Sequence, residues 1–256
     1  MIDEVLARPH DDEPRRAVAR ALTERGDPRG RFIELQLEVA RLRREADVSA
    51  ATWGKLWLEA DALRVAHGAS WVPQLPAWAS APMLVRGFVE YVEVDADAFV
   101  RHAPALFAVA PIRRLHLRGI TGAHEVLSSI HLARMISLDF SGNTLGDVGA
   151  AALATSPHVT HVLWLDLAGN QIGAAGLDAL LSSMQLRSLR YLRFAANLVP
   201  TPEEGYGVDN GVVDTSPTEA TLAAEARYGL RAWLRAPSLH PYAYPPEPDD
   251  LLGSRP

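Results

Sequence analysis

Between Ile112 and Val199 the apolar positions recur in a fixed register: Ile112/Leu115/Leu117, Met135/Leu138/Phe140, Val162/Leu165/Leu167 and Leu189/Leu192/Phe194. The last two members of each set alternate with polar neighbours, a period of two that predicts a short strand with one buried face. In three of the four sets an asparagine follows three residues later, at Asn143, Asn170 and Asn197, each 27 residues after the one before (170 − 143 and 197 − 170). The first set has Ile120 there and is shorter, 23 residues (135 − 112). An asparagine amide donates and accepts, so it suits a point where the chain turns out of a strand. Helical stretches come next, GDVGAAALATS after Leu145 and GAAGLDALLSSM after Ile172, the second with Leu177, Leu180, Leu181 and Met184 at helical spacing. Such a unit cannot bury its apolar side alone, so neighbours must stack and the ends of the stack must be covered.

The spacing L-x-x-L-x-L-x-x-N-x-L resembles the leucine-rich repeat, and a strand plus helix of this length is similar to its ribonuclease-inhibitor type. The resemblance implies an α/β fold: a short solenoid over residues 85–199, with a parallel sheet on its concave face and helices on its convex face. N-terminal and C-terminal helical caps are expected at its ends.

Ahead of the repeats the pattern is helical. Ile2–Arg8 predicts a short helix ended by Pro9. Asp12 and Pro14 open a second, with Ala17, Val18, Ala21 and Leu22 inward and Gly26 at its end. Asp27 and Pro28 start a third as N-cap and first-turn residue, with Phe32, Ile33, Leu35, Gln36, Val39 and Leu42 at helical spacing. The stretch DEPRRAVARALTERGDPRGRFIELQLEVARL resembles the bacterial repeat-companion domain, through Asp12, Pro14, Arg15, Leu22, Glu24, Arg25, Gly26, Asp27, Pro28, Gly30, Phe32, Ile33, Leu35 and Gln36. It departs just before Leu22, where that family has a tyrosine and an aspartate–tryptophan pair and this chain has Val18, Arg20 and Ala21. The resemblance implies a helical module over residues 1–84 and brings no established enzymatic activity with it.

Trp53, Trp57, Leu58 and Leu63 continue a helical pattern closed by Gly68, and Trp71 and Trp78 sit in a proline-containing connector, WVPQLPAWASAP. Four tryptophans so close suggest either a ligand cage or plugs at a junction between cap and solenoid, and the second is the commoner use. FVEYVEVD reads as a strand with Val89/Val92/Val94 in the three apolar positions, and AFVRHAPALFAVA as the helix after it, an atypical first repeat. Residues 200–256 predict a long polar loop, a helix opened by Ser216, Pro217 and Glu219 that covers the open end through Leu222, Ala226, Leu230, Trp233 and Leu234, and an extended tail.

Composition narrows the function. With 256 residues, 48% of them hydrophobic, the chain has material for a core. No apolar run is long enough to span a membrane, and the charged N-terminus lacks a secretory signal's apolar stretch. Cysteine is absent, so disulfides and thiolate chemistry are excluded, and a bacterial, cytoplasmic location is expected. A net charge of −6 argues against a nucleic-acid partner. Phosphate-binding glycine loops, nucleophile elbows and H-E-x-x-H are missing, so no catalytic residue and no cofactor is assigned. One H-x-x-H, His158 to His161, lacks further ligands at readable spacing.

Stacking the strands lets the outward residues be written as rows about 4.8 Å apart: Tyr91, Arg114, Ser137, Trp164, Tyr191; then Glu93, His116, Asp139, Asp166, Arg193; then Asp95, Arg118, Ser141, Ala168, Ala195. Trp164 stands out, because tryptophan, tyrosine and arginine are enriched at binding hot spots; its alternative is cover by the C-terminal segment. Asp139 beside Asp166 requires compensation by Arg114, Arg118 or Arg193, by a partner's basic group, or by a metal. The expected function is a non-catalytic protein-interaction module, inhibitor or immunity-like or a signalling adaptor. It would bind an unidentified protein through Tyr91, Glu93, Arg114, His116, Arg118, Asp139, Trp164, Asp166, Tyr191 and Arg193. A structural or self-associating protein is the alternative, and a metal-dependent hydrolase using Glu93, His116, Asp139 and Asp166 the most remote.

Overall fold

The computed structural model describes residues 2–43, 50–198 and 226–227. The expected C-terminal loop and tail lie outside the described residues, as does the capping helix apart from Ala226 and Arg227, which are helical. The described chain divides into two compact units, one built from residues 2–43, 50–94 and 102–115, the other from 95–101 and 116–198 with 226–227.

The first unit begins with α1 (Ile2–Ala7), α2 (Glu13–Thr23), α3 (Pro28–Arg43) and α4 (Ala50–Trp71). Asp11 Oδ1 accepts the Glu13 N–H at 2.9 Å, which leaves the Asp12 carboxylate to pair elsewhere. Gly26, with φ +72°, carries the chain out of α2, and Asp27 Oδ1 caps α3 by accepting the Arg29 N–H at 2.8 Å. Gly30 has no room for a side chain: a Cβ there would strike Thr23 and the Ala19 carbonyl, so α2 and α3 meet backbone to backbone. Val5, Val18, Ala19, Ile33, Leu37 and Phe88 form one apolar cluster, and Phe32, Leu35, Ala60 and Trp71 another. Each large side chain buried this way contributes about 1.5–3 kcal/mol.

Three expectations for this unit need correcting. The inward residues of α2 are Pro14, Arg15, Val18 and Ala19, with Ala17, Ala21 and Leu22 only half-buried. Helix α4 does not stop at Gly68; it continues to Trp71, whose ring packs at 4.8 Å on Phe32 while Trp57 and Leu58 face solvent. The supposed connector contains β1 (Ala79–Val85), which pairs antiparallel with β2 (Phe88–Asp95). Pro82 and a register shift between Ser80 and Leu84 hid this strand, since both interrupt the alternation.

The turn between β1 and β2 has two residues, Arg86 at φ +47° and Gly87 at φ +85°, as a tight hairpin requires. Helix α3 holds it. Arg29 Nη2 donates to the Gly87 carbonyl at 3.1 Å, the Gly87 N–H donates to Gln36 Oε1 at 2.6 Å, and Gln36 Nε2 donates to the Leu84 carbonyl at 3.3 Å. Ile33 occupies the space where a Cβ of Gly87 would sit.

Helix α5 (Ala96–Phe107) and β3 (Arg114–Arg118) each have residues in both units. The second unit continues with α6 (Ala123–Leu127), β4 (Ser137–Asp139), α7 (Gly146–Thr155), β5 (Trp164–Asp166), α8 (Ala174–Ser182) and β6 (Tyr191–Arg193). The last three strands run parallel and in register, Ser137 beside Trp164 beside Tyr191 and Asp139 beside Asp166 beside Arg193. These are the last three members of the first two predicted rows. Helix α8 ends at Ser182, so Met184, read as part of its apolar face, lies beyond it and is exposed.

The asparagines act between repeats. Asn170 Nδ2 donates to the Leu167 carbonyl of its own repeat at 3.0 Å and to Phe140 of the preceding one at 2.8 Å, while its Oδ1 accepts the Leu145 N–H at 3.4 Å. Asn143 does the same with Phe140, Leu117 and Ile120, and Asn197 with Phe194, Leu167 and Ile172. A second ladder was not foreseen: Ser156 Oγ donates to the Leu127 carbonyl and Ser183 Oγ to Ala154, both at 2.6 Å and again 27 residues apart (183 − 156). Among the described residues no helix is long and apolar enough to cross a membrane.

Candidate functional site

The strand face of β4, β5 and β6 carries the candidate site. Each of the three strands ends in a charged residue, and the two aspartates have a local task. Asp139 Oδ1 accepts the Ser141 N–H and Asp166 Oδ1 the Ala168 N–H, both at 2.9 Å, so each carboxylate fixes the turn that leaves its strand. Asp166 Oδ2 pairs at 3.0 Å with Arg193 Nη1 on the adjacent strand. Of the three compensations open to the aspartate pair, an internal one with Arg193 is therefore present. It is incomplete. Asp166 is buried and Arg193 remains 38% exposed, so its attraction is screened. Burial, followed by the neighbouring Asp139 charge, raises the Asp166 carboxyl to about 6 against the pull of the Ala168 N–H and Arg193.

This shift has a sign that can be measured. Between about pH 4 and pH 6 the folded chain holds a proton on Asp166 that the unfolded chain has released, so this group's contribution favours folding at low pH and declines as pH rises. Replacing Asp166 with Asn removes the titration. The unfolding free energy of wild type minus that of Asp166→Asn should fall by about 2–3 kcal/mol from pH 4 to pH 7, read from urea denaturation at each pH. A difference that stays flat would show that Asp166 titrates normally.

The aromatic residues differ from expectation. Trp164 is 5% exposed and Tyr191 4%, not the open hot spots read from their outward positions. Register explains part of it: Tyr191 lies directly beside Trp164, and their rings stack at 5.9 Å and 6°, a geometry that adds about 0.5–1.5 kcal/mol. The Trp164 Nε1–H is buried with no hydrogen-bond acceptor among the described residues. Ser137, at the head of the same row, is buried too.

The remaining predicted residues are divided. His116 is half-buried on β3 and Arg118 exposed at its end. Tyr91 and Glu93 are half-buried on β2, opposite Met83 and Ser80 of β1. Arg114, expected beside the aspartates, is buried in the first unit, where its charge acts on Glu90. His158 is half-buried and His161 exposed, and no group of three or more metal-ligating side chains occurs among the described residues.

Sequence reasoning missed an ionic cluster in the first unit. Glu90 is fully buried on β2; its Oε1 accepts Arg15 Nη2 at 2.8 Å and Arg86 Nε at 3.0 Å, and its Oε2 accepts Arg113 Nη1 at 3.4 Å. Arg86 reaches on to Asp12 Oδ1 at 2.6 Å and to the Pro9 carbonyl at 2.9 Å, and Arg15 Nη1 to the Asp11 carbonyl at 2.8 Å. Burial acts to raise the Glu90 carboxyl, but Arg86, Arg113, Arg15 and Arg114 outweigh it and hold the group below its usual range. Arg86 and the Arg113–Arg114 doublet, placed at either end of strand-like stretches, were the available signal. The cluster welds the hairpin to α2 and to the turn before it.

Residues 135–154 and 158–181 match the family model described as Leucine Rich repeat. No curated protein and no solved structure is matched. The matched stretches hold β4 with α7 and β5 with most of α8, two successive repeats joined by the asparagine and serine ladders.

Proposed function

Taking these leucine-rich repeats as the premise, we infer that the chain is a non-catalytic protein-binding module that recognises a partner through the strand face of its repeats. Such repeats are commonly interaction modules. The observation carrying the reading here is the charged row: Asp139 is half-exposed beside a buried Asp166 whose charge Arg193 only partly offsets. A partner's arginine or lysine placed over Asp139 would complete the compensation. His116, Arg118 and Arg193 frame that contact, and the stacked Trp164 and Tyr191 form its rigid floor. In this reading residues 1–84 form a repeat-companion cap, 85–199 a solenoid and 200–256 a C-terminal cap, in a bacterial cytoplasmic protein that acts as inhibitor or adaptor.

The test is affinity capture from native extract with wild type and Asp139→Lys, followed by titration of the purified captured protein. The variant should bind at least about 10-fold more weakly while keeping the wild-type circular dichroism spectrum. Equal affinity would move recognition off the strand face. Self-association is the second reading, favoured by the exposed Trp57, Leu58 and Val65 of α4; a monomeric mass for wild type at rising concentration in the ultracentrifuge would count against it.

A further inference from the structure

We propose that the turns leading from helix to strand in the second unit form a separate docking edge for an acidic peptide segment that also carries apolar side chains. The 27-residue register extends to these turns: Ile130, Pro157 and Met184 stand one register apart (157 − 130 and 184 − 157), each after a serine, Ser129, Ser156 and Ser183. All three are exposed, Ile130 by 68% and Met184 by 60%. Two residues on, Leu132, Val159 and Leu186 are buried, so the turns present equivalent residues outward. Their stacking is fixed on both sides, by the serine ladder before them and after them by the Leu163 N–H on the Ile136 carbonyl and the Arg190 N–H on the Leu163 carbonyl, both at 2.8 Å.

The same turns are segregated by charge. Segments 128–136, 155–163 and 182–190 hold three arginines and three histidines and no acidic residue, in a chain with 31 acidic residues and a net charge of −6. Arg187 Nη2 lies 3.0 Å from Met184 Sδ, and both side chains are exposed, so a cation and an apolar group are offered side by side. Arg190 is exposed in the same segment, and His158 and His161 belong to the preceding turn. Positive charge selects an acidic ligand. The apolar row then favours a peptide over nucleic acid, since a phosphate backbone makes no use of Ile130 or Met184. This edge does not depend on the strand face.

The test uses the full chain and fluorescence anisotropy with three labelled probes: a peptide alternating glutamate and leucine, one alternating glutamate and serine, and single-stranded DNA. The glutamate–leucine peptide should bind, more tightly at low salt. Arg187→Glu/Arg190→Glu should weaken it by about 10-fold or more, Ile130→Ser/Met184→Ser by several-fold, and Asp139→Lys not at all, with every variant keeping the wild-type circular dichroism spectrum. Absence of peptide binding by the wild type overturns the proposal. So does tighter, equally charge-sensitive binding of DNA, or equal binding of the serine peptide, which would leave the apolar row without a role.

Discussion

Glu90→Ala should cost the first unit about 3–5 kcal/mol of stability, the penalty for breaking a buried ion pair by removing one partner. Three guanidinium groups, from Arg15, Arg86 and Arg113, converge on this one carboxylate. Arg15 is fully buried and Arg86 and Arg113 nearly so, so none can turn to water when the carboxylate is lost. Arg86 would keep Asp12 and the Pro9 carbonyl, and Arg15 the Asp11 carbonyl, which limits the damage without removing the repulsion among like charges. Glu90→Gln, which keeps an acceptor and loses the charge, should fall between wild type and alanine. Denaturant unfolding followed by circular dichroism reads both. A loss under about 1 kcal/mol for Glu90→Ala would mean that the arginines find other partners and that the cluster contributes little.

Asn170→Ala should destabilise the second unit by about 3 kcal/mol, because one side chain serves four buried backbone groups in two repeats. Its removal leaves the Leu167, Ala168 and Phe140 carbonyls and the Leu145 N–H without it, and a side chain with no exposure leaves no path for water to replace it. Asn197→Ala should cost less, since Asn197 is half-buried and solvent can reach some of the groups it serves. Comparing the two by urea denaturation isolates the effect of the asparagine's place in the stack. Equal losses would show that solvent does not replace the bonds of the half-buried Asn197, and that exposure does not set the cost.

The difference between these two substitutions reflects what could be read in the chain beforehand. Asn170 announces itself by a 27-residue period, and the same period correctly placed Asp139, Asp166 and Arg193 in one row. A repeat writes each contact several times, so pattern alone recovers it. Ser156 and Ser183 carry the same period but are small and polar in helix-terminal segments, where serine is ordinary, and they passed unnoticed. Glu90 is written once. Its partners lie 75, 4 and 23 positions away, with no period connecting them, and a glutamate in an alternating strand reads as a solvent-facing residue. Strand β1 was hidden for a related reason, because Pro82 and the shifted register broke the alternation that identifies strands. For Trp164 the direction followed from alternation, whereas burial depends on what packs against the face, and alternation carries no record of that.

The contact between Arg15 and Glu90 spans 75 positions, and Arg113, which completes the cluster, comes later still, after α5. During synthesis from the N-terminus, therefore, α1 to α4 emerge well before the carboxylate that neutralises Arg15, and the hairpin emerges before Arg113 can join it. Until Glu90 emerges the helices hold an uncompensated arginine, so a nascent chain halted short of Glu90 should remain open to proteases where the released chain resists them. The repeats follow the opposite schedule. Asn143, Asn170 and Asn197 each bond backward to a repeat already made, so that part of the molecule can be laid down one course at a time as it leaves the ribosome.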